Sequence, residues 1–273
     1  MKNILTAALW SVLFVFGTTT SAEAVKAEAH VGYGNLNYQE HITIPGLAIN
    51  SNADLETAIL GVSLEFAPLP ERNKFFFGAL VDWVFALDDV ESWTTNGVLA
   101  QQNDIDVFGQ FYGLKAGYQD NLDRLSYRLY GIGGWDGLQF NRNNTVQNGI
   151  LVSVRGVVED FSLWKVGAGG GAEYSFGRWS LQGNAELNHY FKAEVENTIA
   201  PDVTLKTEGG RIDASLGVSV AVTDNINIYA GGSFMLIVLD SDMQFSPLLG
   251  GTVIFPESET EIIAGIVRLT GSF

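Results

Sequence analysis

The stretch Trp179-Ser180-Leu181-Gln182-Gly183-Asn184-Ala185-Glu186-Leu187-Asn188-His189-Tyr190-Phe191-Lys192 decides the fold. Trp179, Leu181, Gly183, Ala185, Leu187 and Phe191 fall on one face of an extended chain, and Ser180, Gln182, Asn184, Glu186, Asn188 and Lys192 on the other. Alternation with period two is the mark of a strand with one apolar face and one polar face. The same pattern recurs at 207–222, where Ile212, Ala214, Leu216, Val218 and Val220 oppose Arg211, Asp213, Ser215, Gly217 and Ser219. At 161–176, Trp164, Val166, Ala168, Ala172, Tyr174 and Phe176 oppose Lys165, Gly167, Gly169, Gly171 and Glu173.

Working outward from these stretches gives ten segments, at 26–38, 53–67, 74–87, 104–119, 124–138, 161–176, 179–193, 207–222, 226–239 and 259–273. Gln110 lands on the apolar face of its segment, and Phe76 and Leu80 on the polar face of theirs. Short turns at 68–73, 120–123, 177–178 and 223–225 alternate with long connections at 39–52, 88–103, 139–160, 194–206 and 240–258. An even number of long antiparallel strands, with short turns at one end and long loops at the other, is the pattern of a membrane-spanning barrel. The barrel must close, because an open sheet edge in lipid leaves backbone groups unsatisfied. The sequence therefore predicts an all-β fold, an antiparallel up-and-down transmembrane β-barrel of about ten strands.

Composition fits that architecture. The chain has 273 residues, 47% hydrophobic and 17% charged, with 31 glycines, no cysteine and a net charge of −16. Disorder is excluded by the apolar fraction, nucleic-acid binding by the excess of acids, and disulfides or cysteine-ligated zinc by the absence of cysteine. Met1-Lys2-Asn3, an apolar run from Ile4 to Phe16, and Ala22-Glu23-Ala24 have the three parts of a secretory signal peptide. The expected division is a signal peptide at 1–24 and a barrel domain at 25–273. Aromatics gather beside the short turns (Phe66, Phe75, Phe77, Tyr118, Tyr174, Phe176, Trp179) and again nearer the long connections (Trp83, Phe85, Trp135, Phe161, Trp164, Phe191, Phe234). Two such belts belong at the two membrane interfaces.

The final segment sets Ile263, Gly265, Val267, Leu269, Gly271 and Phe273 on one face and ends on an aromatic. This strand resembles the assembly signal of Gram-negative outer-membrane proteins. Val166-Gly167-Ala168-Gly169-Gly170-Gly171-Ala172-Glu173-Tyr174 resembles strands of small barrels of the OmpA/OmpX kind, whose eight strands are exceeded here. The resemblance implies export to the outer membrane, contact with its lipids and lipopolysaccharide, and insertion by its assembly machinery through the strand ending at Phe273.

The acids are unevenly placed. Twelve lie in the five long connections, Glu40, Glu91, Glu159, Asp160, Glu194 and Glu196 among them, and eight more, including Asp136, at the adjoining strand ends. Only Arg142, Arg155 and Lys206 oppose them there, so that end carries about −17. In the lumen, Glu28, His30, Glu65, Asp82, Glu173, Glu186 and Asp213 are expected to face Lys115, Arg128, Lys165, Lys192, Arg211 and Arg268 in paired, hydrogen-bonded balance. A ten-stranded lumen so filled is narrow or plugged.

Catalysis has little to draw on. The histidines are His30, His41 and His189. An omptin-like protease or lipid hydrolase at the acidic rim would use His41 or His189 with a carboxylate, or His30 with Ser126, but no His-x-Asp or Asp-x-His pair occurs. Asp240-Ser241-Asp242 is too short for a calcium loop. The expected function is that of a surface-exposed structural or binding protein, not an enzyme. It has no cofactor, no catalytic or metal residues to assign and no nucleic-acid partner. A cationic ligand or divalent cation at the acidic rim is the partner the charge suggests. The alternatives are the rim-active hydrolase and a narrow diffusion pore. An autotransporter would need a passenger ahead of the first strand, which begins almost directly after Ala24.

Overall fold

A computed structural model describes residues 23–68, 74–153 and 156–273. Except for Glu23 and Ala24, the expected leader lies outside the described residues. The strands are β1 (Glu23–Ile44), β2 (Leu47–Pro68), β3 (Phe75–Thr95), β4 (Val98–Leu122), β5 (Leu125–Gln147), β6 (Ile150–Ser153), β7 (Val157–Phe176), β8 (Trp179–Asn197), β9 (Thr204–Ala221), β10 (Ile226–Leu239), β11 (Asp242–Ser246), β12 (Gly251–Phe255) and β13 (Glu257–Ser272). Ten of these are the staves of a closed antiparallel barrel. Each pairs with its chain neighbour, β4 pairs with β5, and β13 closes on β1 from Lys26 opposite Ser272 to His41 opposite Glu257. β6 is a short extension hydrogen-bonded to β5, and β11 and β12 form a separate hairpin.

Four of the five long connections expected as loops are largely strand. β1 and β2 stay in register to the turn, where Ile44 faces Leu47, and β3 and β4 run on to Thr95 opposite Val98. Two of these hairpins close on two-residue turns in which both residues have positive φ: Asn96 and Gly97 at 50° and 78°, and Asn148 and Gly149 at 50° and 77°. Asn-Gly with left-handed backbone at both positions gives the type I′ turn, whose twist matches that of the flanking strands.

These connections lack the pattern of a membrane strand because the alternation changes sign partway up each stave. Near the short-turn end the outward residues are apolar: Val31, Leu114, Leu187 and Leu216 are 54%, 69%, 64% and 63% exposed. Higher up, the outward positions turn polar, as at Asn37, Asp54 and Glu56, while the inward positions turn apolar. Leu36, Tyr38, Ala53, Leu55, Val84, Ile105, Phe140 and Leu163 are buried there in one continuous cluster. The lower half is thus a lipid-type barrel with a polar lumen, and the upper half a water-type barrel with an apolar core. Phe76, read on the polar face, does point inward and packs against Tyr130.

Candidate functional site

The lumen is stacked in layers. Next to the short turns a cavity of 250 Å³ is lined by Lys26, Glu65, Arg128, Asn184 and Arg268 among others. Above it, sharing those residues, a cavity of 210 Å³ adds His30, Asp82, Lys115, Glu186 and Asp213. The expected pairing of inward charges is present. Arg128 meets Glu65 at 3.2 Å, Arg268 meets Glu28 at 3.0 Å, and Lys115 is paired with Glu186, which also accepts from the Tyr130 hydroxyl at 2.8 Å. Lys192 departs from the expectation. A register shift between Tyr190 and Ala193 turns it outward, where it is 55% exposed and pairs with Glu194 at 3.0 Å.

The next layer closes the polar lumen. Asp136, expected at the rim, is fully buried and accepts from Lys165 at 2.7 Å, from Arg211 at 3.0 Å and from the Tyr190 hydroxyl at 2.8 Å. Its even position in β5 shares the inward parity of Arg128 and Tyr130, so alternation alone could have placed it. Above it lies the apolar cluster.

A second buried charge cluster caps that core. Arg142 donates from Nε to Glu91 at 2.7 Å, from Nη1 to Glu159 at 2.6 Å, and from Nη2 to Glu40 at 3.2 Å. These four residues come from β5, β3, β7 and β1, so one guanidinium ties together four staves. Glu91 also accepts from Ser51 at 2.7 Å and from Asn103 at 2.9 Å, Glu159 accepts from Asn197 at 3.1 Å, and Tyr38 donates to Glu40. Three acids counted with an acidic rim therefore converge inward on one base. Burial, with Glu159 and Glu91 nearby, outweighs the pull of Arg142 and pushes the Glu40 carboxyl up to about 8. Burial acts on Glu91 in the same sense, but Arg142 and the Ser51 hydrogen bond overcome it and hold Glu91 below the usual carboxylate value.

The histidines are dispersed. His41, at the hairpin end, bonds through its ring nitrogens to Asn50 and, at 2.6 Å, to Thr43, with no carboxylate partner among the described residues. His189 points outward from the wall, opposite Val166. His30 lies in the lumen, 3.4 Å from Asp82, and lines the upper of the two cavities, while Ser126 lines only the one next to the short turns. Among the described residues no three His, Cys, Asp or Glu side chains are placed to hold a metal ion.

No family model and no curated protein sequence matches the chain. Solved structures do. The outer-membrane protease OmpT from Escherichia coli superposes with a TM-score of 0.65 at 12% identity, over 94% of this chain and 99% of that one. The translocator domain of the autotransporter NalP from Neisseria meningitidis covers 100% of this chain and 96% of its own at 12% identity, with a TM-score of 0.41. The chain has the fold of the Gram-negative outer-membrane β-barrels. Its apolar girdle, bounded by Phe75, Phe77 and Trp179 below and by Trp83, Trp135 and Trp164 above, is the surface such a barrel presents to lipid. Arg142 and its carboxylates stand above that girdle.

Proposed function

We propose that the protein is a surface-exposed outer-membrane barrel that binds with its outer wall and hairpins, conducts nothing through its lumen and catalyses no reaction. One observation carries this reading: the upper lumen is filled by an apolar core that Arg142 caps through Glu40, Glu91 and Glu159. A diffusion pore needs a continuous aqueous path, which that core interrupts. A rim-active hydrolase needs a base set beside a carboxylate or nucleophile above the membrane, and His41 spends both ring nitrogens on Asn50 and Thr43. The fold shared with a protease does not bring a reaction with it. In this reading the girdle meets outer-membrane lipids and lipopolysaccharide, the assembly machinery engages β13 and its terminal Phe273, and the acids of the upper outer wall attract a cationic ligand or divalent cations.

Planar-bilayer recording of the purified barrel tests the closed lumen, and stable unitary steps would overturn it. Peptide-cleavage and lipid-deacylation assays of the wild type beside His41→Ala and His189→Ala test the absence of catalysis. Turnover that depends on either histidine would replace this reading with a hydrolase.

A further inference from the structure

Strand register places twelve outward residues of β4, β5, β7 and β8 in three rows above the lipid girdle. The lowest row is Tyr112, Trp135, Trp164 and Lys192, an aromatic shelf at the interface. The next is Gln110, Gly137, Ser162 and Glu194, and the top row is Phe108, Gln139, Asp160 and Glu196. Trp135 does not point straight out from the shelf. Its ring lies back over Gly137, where a Cβ would overlap it, and its indole nitrogen donates to Ser162 at 2.9 Å. This fixed ring and Phe108 flank a groove of 440 Å³ on the outer wall, edged by Asp160, Glu194 and Glu196.

The charges in this groove are arranged against its own stability. Asp160 and Glu196 are direct cross-strand partners, and Glu194 lies two residues from Glu196 on the same face. Like charges directly opposite one another destabilise a sheet; Lys192 below pairs with Glu194 and Lys206 faces Glu194 from β9, which leaves Asp160 and Glu196 as the pair with no cation directly opposite among the described residues. The polar neighbours supply single hydrogen bonds without charge: Gln139 donates to Asp160 at 2.7 Å, and Thr204 to Glu196 at 3.3 Å. A cation in the groove relieves the repulsion. Tryptophan offers the best of the aromatic faces for an organic cation. An anion that carries no cationic group of its own is repelled.

We propose that the groove formed by Trp135 over Gly137, with Asp160, Glu194 and Glu196 at its edge, binds an organic ammonium group. The proposal rests on the binding role given above and assigns it a place and a ligand class. The ammonium could be carried by a soluble molecule or by an aminolipid headgroup reaching up from the girdle, since both present the same cation to the same ring.

The test uses the refolded barrel in nonionic detergent, with choline as probe and 3,3-dimethylbutanol as its uncharged isostere, followed by ligand-observed NMR. Choline should bind and the isostere should not. Trp135→Leu and the double variant Glu194→Gln/Glu196→Gln should each weaken choline by about tenfold, the scale of one partly desolvated cation–aromatic contact. Glu259→Gln, on the opposite wall, should leave binding unchanged. The glutamine pair keeps the ring and the fold, so it decides the matter even if Trp135→Leu folds poorly. Competition by phosphatidylethanolamine in nanodiscs assigns the ammonium to a headgroup, and lack of competition assigns it to a soluble ligand. Equal binding of the isostere, equal loss in Glu259→Gln or no binding of choline would overturn the proposal. Because the measurement does not depend on conductance, its failure leaves the closed lumen standing, and an open lumen leaves the groove standing.

Discussion

Lys165 Nζ lies 2.7 Å from Asp136 Oδ1 with the two side chains 1% and 0% exposed, so neither charge has water to fall back on. Asp136 also holds Arg211 at 3.0 Å, which in turn meets Asp213 at 2.7 Å. Removing Asp136 therefore strands Lys165 and leaves Arg211 with Asp213 alone, while removing Lys165 leaves Asp136 still paired with Arg211. Breaking a buried pair from one side costs about 3–5 kcal/mol, much of it the desolvation of the abandoned charge. Asp136→Leu should lose that much in urea unfolding from detergent, Lys165→Met less, and the double variant should recover part of the loss. A cost below about 1 kcal/mol for Asp136→Leu would mean that water reaches the site and no lasting desolvation is at stake.

Glu40 gives the protein an alkaline weakness. Its folded value is pushed to about 8 from an ordinary 4.5, with burial as the main cause. A raised value means the folded state keeps a proton that the unfolded chain releases. The stabilisation is fully present below the unfolded value and is lost as pH climbs through the folded one. Stability should decline between about pH 4.5 and 8, with a slope of at most about 1.4 kcal/mol per pH unit for a single proton. Glu91, held low, acts in the opposite sense and in a different window: its contribution is present above its unfolded value and is lost in acid. Glu40→Gln should flatten the decline between about pH 4.5 and 8 and leave the acid limb in place. An unchanged slope in that variant would remove Glu40 as the cause.

The barrel, its number of staves and the inward charges of the lower lumen were legible because a membrane imposes one rule on every stave. Trp179 to Lys192 obeys that rule for most of its length. The upper half escaped because there the rule reverses. Leu60, Val62 and Leu64 point out to lipid, while Ala53 and Leu55 on the same strand point into a water-type core, with Asp54 and Glu56 outside. A reader tracking one apolar face sees the pattern dissolve and writes a loop. Arg142 was hidden for the same reason. In Asn141-Arg142-Asn143-Asn144 nothing local marks it as buried, because its partners come from residues 102, 51 and 17 positions away in the chain. The outer groove needed cross-strand register, which alternation within single segments cannot supply.

Gly61 is the place where a missing side chain shapes the lumen. A Cβ there would overlap both the His30 ring and the Asp82 carboxylate, which approach each other over this residue. Gly61→Ala should separate that pair and cost about 1–3 kcal/mol, as overpacking usually does. Gly131→Ala provides the contrast. A Cβ at that outward position meets nothing nearer than Gly167 O at 3.9 Å, so lower backbone entropy in the unfolded chain should make it neutral or slightly stabilising. Parallel urea titrations of the two variants check both signs. Equal destabilisation would show that the backbone, and not the His30–Asp82 contact, sets the cost.

Orientation follows from which end carries the short turns, and the absence of native cysteine makes it directly testable. Outer-membrane barrels place short turns in the periplasm and long connections outside. Ile150 and Leu248, at the hairpin end, are each 67% exposed, and Leu122, beside a short turn, is 59% exposed, so the three positions differ in side of the membrane more than in access. Single variants Ile150→Cys, Leu248→Cys and Leu122→Cys should each react with a membrane-impermeant maleimide in the purified barrel. On intact cells only Ile150→Cys and Leu248→Cys should react, and Leu122→Cys should react once the outer membrane is permeabilised. The reverse pattern would turn the barrel over, placing the Arg142 cluster and the Trp135 groove in the periplasm. The ammonium ligand would then have to be a periplasmic one.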